Sequence, residues 1–340
     1  MVTVRPEIEA GYNWRMSAIT LPARSEAHPH LRSLNVMRDL PQVADLIETC
    51  FANTMDGEGL RYVRDLRRAG YDAGIRGWAA RVSESASLPL TGYVWEEGGT
   101  IVGNASMIPF GHQRQRIYLI ANVAVHPDHR RRGIARTLTE RALIHARQRR
   151  AEAVWLHVRS DNAGALKLYE GLGFVERARR TLWHVASSAP APPETPNISI
   201  RPRHPRYWPA QRSWLQRFYS DELAWHRPWS LAVLKPGFWN WLYLFFVDLN
   251  IQQWAAIKDG RLQAVLAYLP NGREQELFAA AGPGSDPQAL TALLFHARRS
   301  LSQRPQLSLE FPAGVYDEEI RSAGFEAHRT LVWMRASAAT

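Results

Sequence analysis

The segment best suited to chemistry is a basic loop, Arg130 to Ala135, in which three consecutive arginines precede Gly133. It follows an apolar strand and opens a predicted helix, so the N–H groups of a helix N-terminus lie beside the arginines. Such N–H groups bind phosphate, glycine lets the chain approach it closely, and arginine adds positive charge. The loop therefore predicts a pyrophosphate site, although basic loops with one glycine are also common in proteins that bind no phosphate.

The positive charge of the chain is concentrated around this loop. The 340 residues contain 42 Lys and Arg against 32 Asp and Glu, a net charge of +10. Residues 101–150 contain ten arginines and two acidic residues, which leaves +8 in this segment and +2 elsewhere. Nucleic-acid-binding proteins usually spread basic residues over a face among exposed aromatic side chains. The distribution therefore favours a compact polyanion, and we expect no nucleic-acid partner.

Hydrophobic periodicity predicts the elements that position the loop. Near the N-terminus we expect a strand over 34–38, a helix with Asp39 as its N-cap, and a helix over 57–82. The next strands and helices are predicted over 91–96, 100–109, 118–125, 134–149, 154–159, 163–171 and 175–185.

The second half of the chain repeats the end of this order. Residues 160–174 followed by Thr181 to Trp183 are echoed roughly 150 residues later, which indicates an internal duplication. Two unrelated domains with coincident Gly-Phe pairs are the alternative. We predict an N-terminal extension (1–30), a first domain (31–186), a Pro-rich linker (187–197) and a second domain (198–336).

Two further segments flank the loop: Asn122 to Val125, which runs into His126-Pro127, and the pattern Asn162, Ala165, Tyr169 and Gly173-Phe174. With these residues the sequence resembles the GCN5-related N-acetyltransferase (GNAT) superfamily over residues 31–186. The resemblance implies an α+β fold, a curved, mostly antiparallel mixed sheet flanked by helices, with the cofactor arm between two diverging strands. It implies acetyl-CoA as co-substrate and a primary amine, either a small molecule or a peptide N-terminus, as acceptor.

The resemblance also assigns roles to individual residues. Tyr169 is the expected general acid, and the Val125 amide is the expected donor to the oxyanion. The expected cofactor-binding residues are Val123, Ala124, Val125, Arg130, Arg131, Arg132, Gly133, Ile134, Ala135, Arg136, Asn162 and Tyr169.

The general base is less well defined, because the fourth-strand positions used by some relatives hold Leu119 and Ala121. Ribosomal-protein alanine acetyltransferases place a Glu twelve residues before the Tyr, which corresponds to His157 here. An imidazole with an ordinary pKa near 6.5 suits a base at neutral pH, and a hydrogen-bonded strand histidine is the alternative. Asp56 and Glu58 are further candidates for a base or for an anchor of the substrate ammonium.

The second half lacks the residues for this chemistry. A loop with two prolines, Gly282 to Pro287, replaces the arginine loop, and Ile320 stands at the Tyr169 position. Proline removes N–H groups that a phosphate needs, so we predict a degenerate domain that shapes the acceptor site. Eight of the thirteen tryptophans lie here, including Trp225, Trp229, Trp239 and Trp241, as core packing or as an aromatic wall for the acceptor.

The cysteine content and the apolar runs bear on the location of the protein and on its partners. The single cysteine, Cys50, excludes a disulfide within the chain, which fits a cytoplasmic protein. The longest apolar run, 242–247, is too short to span a membrane. We expect no membrane association, no metal, and a monomer or homodimer. A protein N-terminal acetyltransferase and a non-catalytic CoA-binding module remain as alternative functions.

Overall fold

The computed structural model describes most of the chain outside the first 27 residues. The described residues are 28–70, 91–112, 115–186, 197–227, 230–238, 242, 250–271, 274–302 and 307–337. The predicted extension and linker lie outside them, apart from residues 28–30 and Asn197. No helix among the described residues is long and apolar enough to cross a membrane.

The described residues form a mixed α/β structure whose elements closely follow the sequence prediction. The strands are β1 (Leu31–Ser33), β2 (Thr91–Glu97), β3 (Thr100–His112), β4 (Gln115–Val125), β5 (Ala153–Arg159), β6 (Val175–Val185), β7 (Ile198–Pro202), β8 (Gln252–Lys258), β9 (Arg261–Asn271), β10 (Glu274–Ala281), β11 (Leu307–Pro312) and β12 (Phe325–Ser337). The helices are α1 (Val36–Phe51), α2 (Gly57–Ala69), α3 (Ile134–Gln148), α4 (Ala163–Glu170), α5 (Trp208–Phe218), α6 (Pro287–Ser300) and α7 (Asp317–Ser322).

The start of α1 differs from the prediction. β1 ends at Ser33 and α1 begins at Val36, so the predicted strand over 34–38 and the predicted N-cap at Asp39 are wrong. Asp39 lies buried in the first turn, where its carboxylate accepts a hydrogen bond from the Asn35 amide at 2.7 Å. Arg32 also binds this carboxylate. A carboxylate that bonds back to an amide at the helix N-terminus stabilises that terminus, so the helix starts earlier.

The two halves share one twelve-stranded sheet, in the order β1-β2-β3-β4-β5-β12-β6-β11-β10-β9-β8-β7. The expected mixed sheets flanked by helices are confirmed, and the structure joins them by exchange of their last strands. β12 of the second half lies between β5 and β6, and β6 of the first half lies between β12 and β11. The exchange is nearly symmetric, because Thr181 and Thr330 face each other and their hydroxyls hydrogen-bond at 2.9 Å.

Each half also contributes side chains to the core of the other. Val332 and Met334 of β12 are buried in the first-half core beneath α3 and α4. Trp183 of β6 is fully buried in the second-half core beside Leu309 and Phe311. Neither core is complete without the strand from the other half.

The two faces of the first-half sheet carry different helices. Val154 and Leu156 of β5 pack in the core that includes α3 and α4, whereas Trp155 packs on the opposite face with Trp225 of the second half. Since side chains alternate along a strand, His157 lies on the same face as Trp155. We call this face, which α1 and α2 also cover, the acceptor face.

Candidate active site

β4 and β5 diverge at the centre of the first-half sheet. They pair in parallel only between Ile117–Ile120 and Ala153–Leu156, although both strands continue further. The open ends therefore form a cleft that starts at Ala121 on one side and His157 on the other. Main-chain groups in such a gap are available to a ligand, because no neighbouring strand uses them.

A β-bulge directs the Val125 amide into this cleft. The register between β3 and β4 shifts between Asn104 and Ser106, and Asn122 has a φ of 52°. The buried Asn104 amide donates to the Asn122 carbonyl at 2.8 Å and holds the bulge. Beyond the bulge, the His126 amide donates a hydrogen bond to the Val102 carbonyl of β3. Because successive N–H groups of a strand point to opposite sides, the Val125 N–H points away from β3 and toward the gap.

The basic loop folds as the sequence predicts. Gly133 is the N-cap of α3 with φ 80°, no side chain caps it, and the first turn of α3 contains no acidic residue. Arg131 also has a positive φ, of 64°, which curls the loop. The first N–H groups of α3 therefore face the cleft without a carboxylate from the helix itself, as an anion site requires.

A cavity of about 590 Å³ joins the cleft and the loop. Every predicted cofactor-binding residue except Arg132 lines it. The Arg132 side chain instead binds Glu97 at 2.9 Å, so the structure does not bring it to the cavity. The cavity is also lined by residues that the sequence did not single out for the site: Cys50, Phe51, Thr54, His129, Arg159, Asp161, Gly164, Ala165 and Leu168.

Tyr169 lines this cavity from α4. Asn162 caps α4 by accepting a hydrogen bond from the Ala165 amide at 3.1 Å, which fixes the helix beside β5. The Tyr169 ring is 6% exposed and packs against Phe174. Its hydroxyl has no hydrogen-bond partner among the described residues, and burial raises the pKa of Tyr169 to about 12. The phenol is therefore protonated at neutral pH and free to donate to a ligand.

Cys50 is the functional neighbour that sequence reasoning missed. The sequence treated it as a small apolar residue of the first helix, and α1 does contain it. Its thiol donates to the Val125 carbonyl at 3.2 Å, and Arg130 Nε donates to the same carbonyl at 3.1 Å. Burial raises the pKa of Cys50, so it is a neutral thiol that holds Val125 in place.

His157 lies on the acceptor face and does not line the cavity that contains Tyr169. The His157 side chain is exposed to solvent on this face, but desolvation by the surrounding protein and the Arg329 charge lower the pKa of His157. The structure thus changes one part of the prediction: the imidazole is neutral at physiological pH but is a weaker base than a free imidazole.

Asp56 and Glu58 lie at the N-terminus of α2. Asp56 caps this helix through the Gly59 amide at 2.8 Å, and its other oxygen binds His328 and Arg329 of β12, both at 2.9 Å. Burial opposes ionisation, but these partners outweigh it and the pKa of Asp56 is lowered. Asp56 is therefore an ionised structural carboxylate between the two halves. The side chain of Glu58 lies outside the described part of the chain.

The equivalent cleft of the second half is filled by the protein itself. β10 and β11 pair in parallel over only three residues and then diverge, and the Tyr219 hydroxyl accepts a hydrogen bond from the Ala279 amide at 3.2 Å in that gap. The Trp214 ring lies against Gly282. Asp286 caps α6 through the Gln288 amide and binds Lys258 at 2.6 Å. A carboxylate thus occupies the helix terminus at which a phosphate would bind.

The tryptophans of the second half that the structure describes act mainly in packing. Trp225 is buried on the acceptor face against Trp155, Phe110 and Trp333. Trp229, Trp239 and Trp241 lie outside the described residues. Within the described ranges, no cluster of three or more His, Cys, Asp or Glu side chains is arranged to hold a metal ion.

We expect Gly133→Glu to weaken acetyl-CoA binding much more than Gly133→Ala. A Cβ at Gly133 meets no atom within 4 Å, so alanine adds only the strain of a positive φ, about 1–2 kcal/mol. Glutamate adds a negative charge at the predicted pyrophosphate site and should raise Kd at least about tenfold beyond the alanine variant.

Isothermal titration with acetyl-CoA measures this difference. Gly284→Glu is the matched control, because Gly284 has a φ of 67° and equally open surroundings in the second-half loop. Equal Kd values for Gly133→Glu and Gly133→Ala would remove the loop from the binding site.

Comparisons with known proteins agree with this geometry. The family model described as Acetyltransferase (GNAT) family matches residues 57–174. [Ribosomal protein bS18]-alanine N-acetyltransferase of Escherichia coli is 44% identical over 59 residues, which are 17% of this chain and 40% of that protein. The chain thus spans about two fifths of the length of this relative.

A longer match and a solved structure extend the comparison. N-alpha-acetyltransferase RimI of Mycobacterium tuberculosis is 36% identical over 113 residues, 33% of this chain and 70% of that protein. A GCN5-related N-acetyltransferase from Sphaerobacter thermophilus has the same fold, with a TM-score of 0.56, 16% identity, and coverage of 92% of this chain and 97% of that chain. With its diverging strands, its basic loop and its RimI-like sequence, this chain belongs to the GNAT acetyltransferase family.

Proposed function

We propose that this protein transfers the acetyl group of acetyl-CoA to a primary amine in the first-half cleft. One observation carries the proposal: a single cavity brings together the N-terminus of α3, the inward-facing Val125 amide and the Tyr169 phenol. These three groups match the three charges that the reaction must stabilise. They are the pyrophosphate, the oxyanion of the tetrahedral intermediate and the departing thiolate.

In the proposed reaction the neutral amine attacks the thioester carbonyl. A carbon–nitrogen bond forms while the carbonyl oxygen becomes an oxyanion, to which the Val125 N–H donates. The carbonyl re-forms as the carbon–sulfur bond breaks, and the Tyr169 phenol protonates the thiolate. The attacking nitrogen loses one proton to solvent and becomes the amide nitrogen, and a proton from solvent restores the phenol. A thiolate in an apolar cleft is poorly solvated. Burial therefore raises the pKa of the CoA thiol, as it raises that of Tyr169, and favours protonation of the thiolate.

The substrate enters the protein as an ammonium ion, so a group on the acceptor face must accept its proton. His157 is neutral and opens onto that face, and we propose that it accepts this proton directly or through water. The second half completes this face with β12 and Trp225, and its own cleft takes no part.

A protein N-terminus is the second candidate acceptor. The relatives named above acetylate ribosomal protein bS18 or protein α-amino groups according to their names, and His157 stands where the resemblance places their base. A non-catalytic CoA-binding module would use the same cavity without transfer.

Acetyl-CoA turnover over a panel of small primary amines and peptides with free N-termini separates these functions. Thiol release and product mass are measured together. We expect release of one CoA for each acetylated amine. Binding of acetyl-CoA without transfer to any member of the panel would favour the binding module.

We expect His157→Ala to lower kcat/KM for the acceptor at neutral pH at least about tenfold. The loss should shrink as the pH approaches the pKa of the acceptor amine, because less proton transfer is then required. The Kd of acetyl-CoA should not change, since His157 does not line that cavity. An unchanged rate from about pH 6 to 9 would remove His157 from the mechanism.

A further inference from the structure

The exchanged strands place an aromatic cluster on the acceptor face that neither half could form alone. His157 of β5 lies directly opposite Trp333 of β12, and their rings are 5.0 Å apart. His226, from the second-half segment that follows α5, stacks on the same Trp333 at 4.6 Å. Two histidines from different halves therefore contact one tryptophan.

The two arginines beside this cluster differ in their partners. Arg180 of β6 is buried and forms an ion pair with Glu310 of β11. Arg227 follows His226 in the chain, and its guanidinium lies over the Tyr219 ring, 5.4 Å from the centroid, with Arg180 over the same ring at 5.1 Å. The Arg180 charge is therefore paired with the Glu310 carboxylate, whereas Arg227 forms no ion pair with any residue that the structure describes.

Arg227 is only partly exposed, and it carries a positive charge next to another positive charge. Burial and the neighbouring Arg180 lower the pKa of Arg227, and Glu310, Tyr219 and Glu276 offset this only in part. A partly buried guanidinium without an ion-pair partner destabilises the fold, because it has lost solvation, and a bound anion would offset this penalty. Its planar pair of N–H donors matches a carboxylate.

Unpartnered polar atoms in the same cluster also indicate a ligand. His226 Nδ1 and the indole N–H groups of Trp333 and Trp225 are buried without a hydrogen-bond partner among the described residues. Buried polar groups are normally hydrogen-bonded. Three such atoms in one aromatic cluster are consistent with a site whose bound molecule supplies partners.

Resting on the proposed function, we propose that the acceptor is an amino acid or a similar zwitterion whose carboxylate binds Arg227 and whose amine lies toward His157. Arg227 has no ion-pair partner among the described residues, which suits a monoanion, and a dianionic phosphate would be repelled by Glu310 and Glu276. The ammonium group, in turn, gains from Glu310 on its approach to His157. A protein N-terminus has an amide where a free amino acid has its carboxylate, so Arg227 favours a free amino acid as acceptor.

The test compares acceptors that differ only in the carboxylate. The pairs are L-alanine with ethylamine, L-leucine with isopentylamine, and L-phenylalanine with phenethylamine. For at least one pair, wild-type protein should show a kcat/KM at least about tenfold higher for the amino acid. Arg227→Gln should reduce that preference at least about tenfold and leave kcat/KM for the plain amine within about threefold.

Arg206→Gln is the matched control, because Arg206 also lies over a tyrosine ring, that of Tyr207, without an ion pair among the described residues. Arg206 is exposed in the turn before α5 and contacts neither His157 nor Trp333 in any hydrogen bond or ring contact among the described residues. This variant should keep the wild-type preference. Thermal unfolding of both variants checks folding. If Arg227→Gln does not fold, the test uses Arg227→Lys, which should also reduce the preference for the amino acid, together with the preference of the wild-type protein.

The outcomes distinguish the two proposals. Acetylation of plain amines and amino acids at equal rates overturns the carboxylate site while the acetyltransferase function stands. A preference that Arg227→Gln leaves intact also overturns it. Failure to acetylate any amine despite acetyl-CoA binding overturns the proposed function. In that case calorimetry with L-phenylalanine and CoA decides the carboxylate site, since binding that Arg227→Gln abolishes supports it and no binding overturns it.

Discussion

Tyr169→Phe is expected to lower kcat about a hundredfold with little change in the affinity for acetyl-CoA. The substitution removes only the hydroxyl, which has no protein partner among the described residues, and keeps the ring against Phe174. The thiolate must then leave without a proton from the protein. Because the pKa of Tyr169 is about 12, the phenol stays protonated and wild-type kcat should show no loss from its ionisation between about pH 6 and 9.

The matched control is Tyr93→Phe, which removes a tyrosine hydroxyl that bonds His145 at 2.9 Å outside the cavity. It should retain full kcat. Steady-state turnover and calorimetric Kd values for acetyl-CoA measure both variants. If Tyr169→Phe keeps wild-type kcat with every acceptor, another group protonates the thiolate and the assignment of Tyr169 is wrong.

The second large effect follows from the exchanged strands. Met334 belongs to the second half but is 1% exposed in the first-half core. Met334→Ala should cost about 2–5 kcal/mol of the free energy of unfolding. Because β12 connects the two cores, we expect this loss in both halves and a single cooperative unfolding transition.

Hydrogen exchange measured by mass spectrometry tests this coupling. In Met334→Ala, hydrogen exchange should become faster in α3 of the first half and in α6 of the second half. The free energy of opening should fall by the same amount in both helices. Leu293→Ala, in the second-half core, is the reciprocal variant and should also expose α3. Two separate transitions, or protection of α3 that survives Leu293→Ala unchanged, would show that the halves are independent.

Local sequence patterns predicted the individual elements well. The helix that follows Gly133 and the strands on either side of it lie within a few residues of their expected positions, because apolar periodicity and turn residues are local signals. The turn of the basic loop into α3 was predictable for the same reason. Asp39 was misassigned because its carboxylate binds back to an amide that precedes it, and the same residue type occurs at N-caps.

The arrangement of the two halves was not predictable in this way. Both β6 and β12 read as closing strands, and nothing in their residues says that each pairs inside the other sheet. The sequence does not distinguish Arg132 from the neighbouring arginines of the basic loop. Its side chain instead binds Glu97 on a hairpin distant in sequence and does not line the cavity. The roles of Asp56 and Arg227 depend likewise on residues far away in the sequence, such as His328 and Arg180.

The proposed function uses one of two related clefts, because Tyr219, Trp214 and Asp286 fill the other. Isothermal titration calorimetry measures the number of acetyl-CoA molecules bound per chain and so tests this difference between the clefts. We expect one molecule per chain, bound much more weakly in Gly133→Glu and with unchanged affinity in Gly284→Glu. Two molecules per chain, none, or one that survives Gly133→Glu unchanged would contradict it.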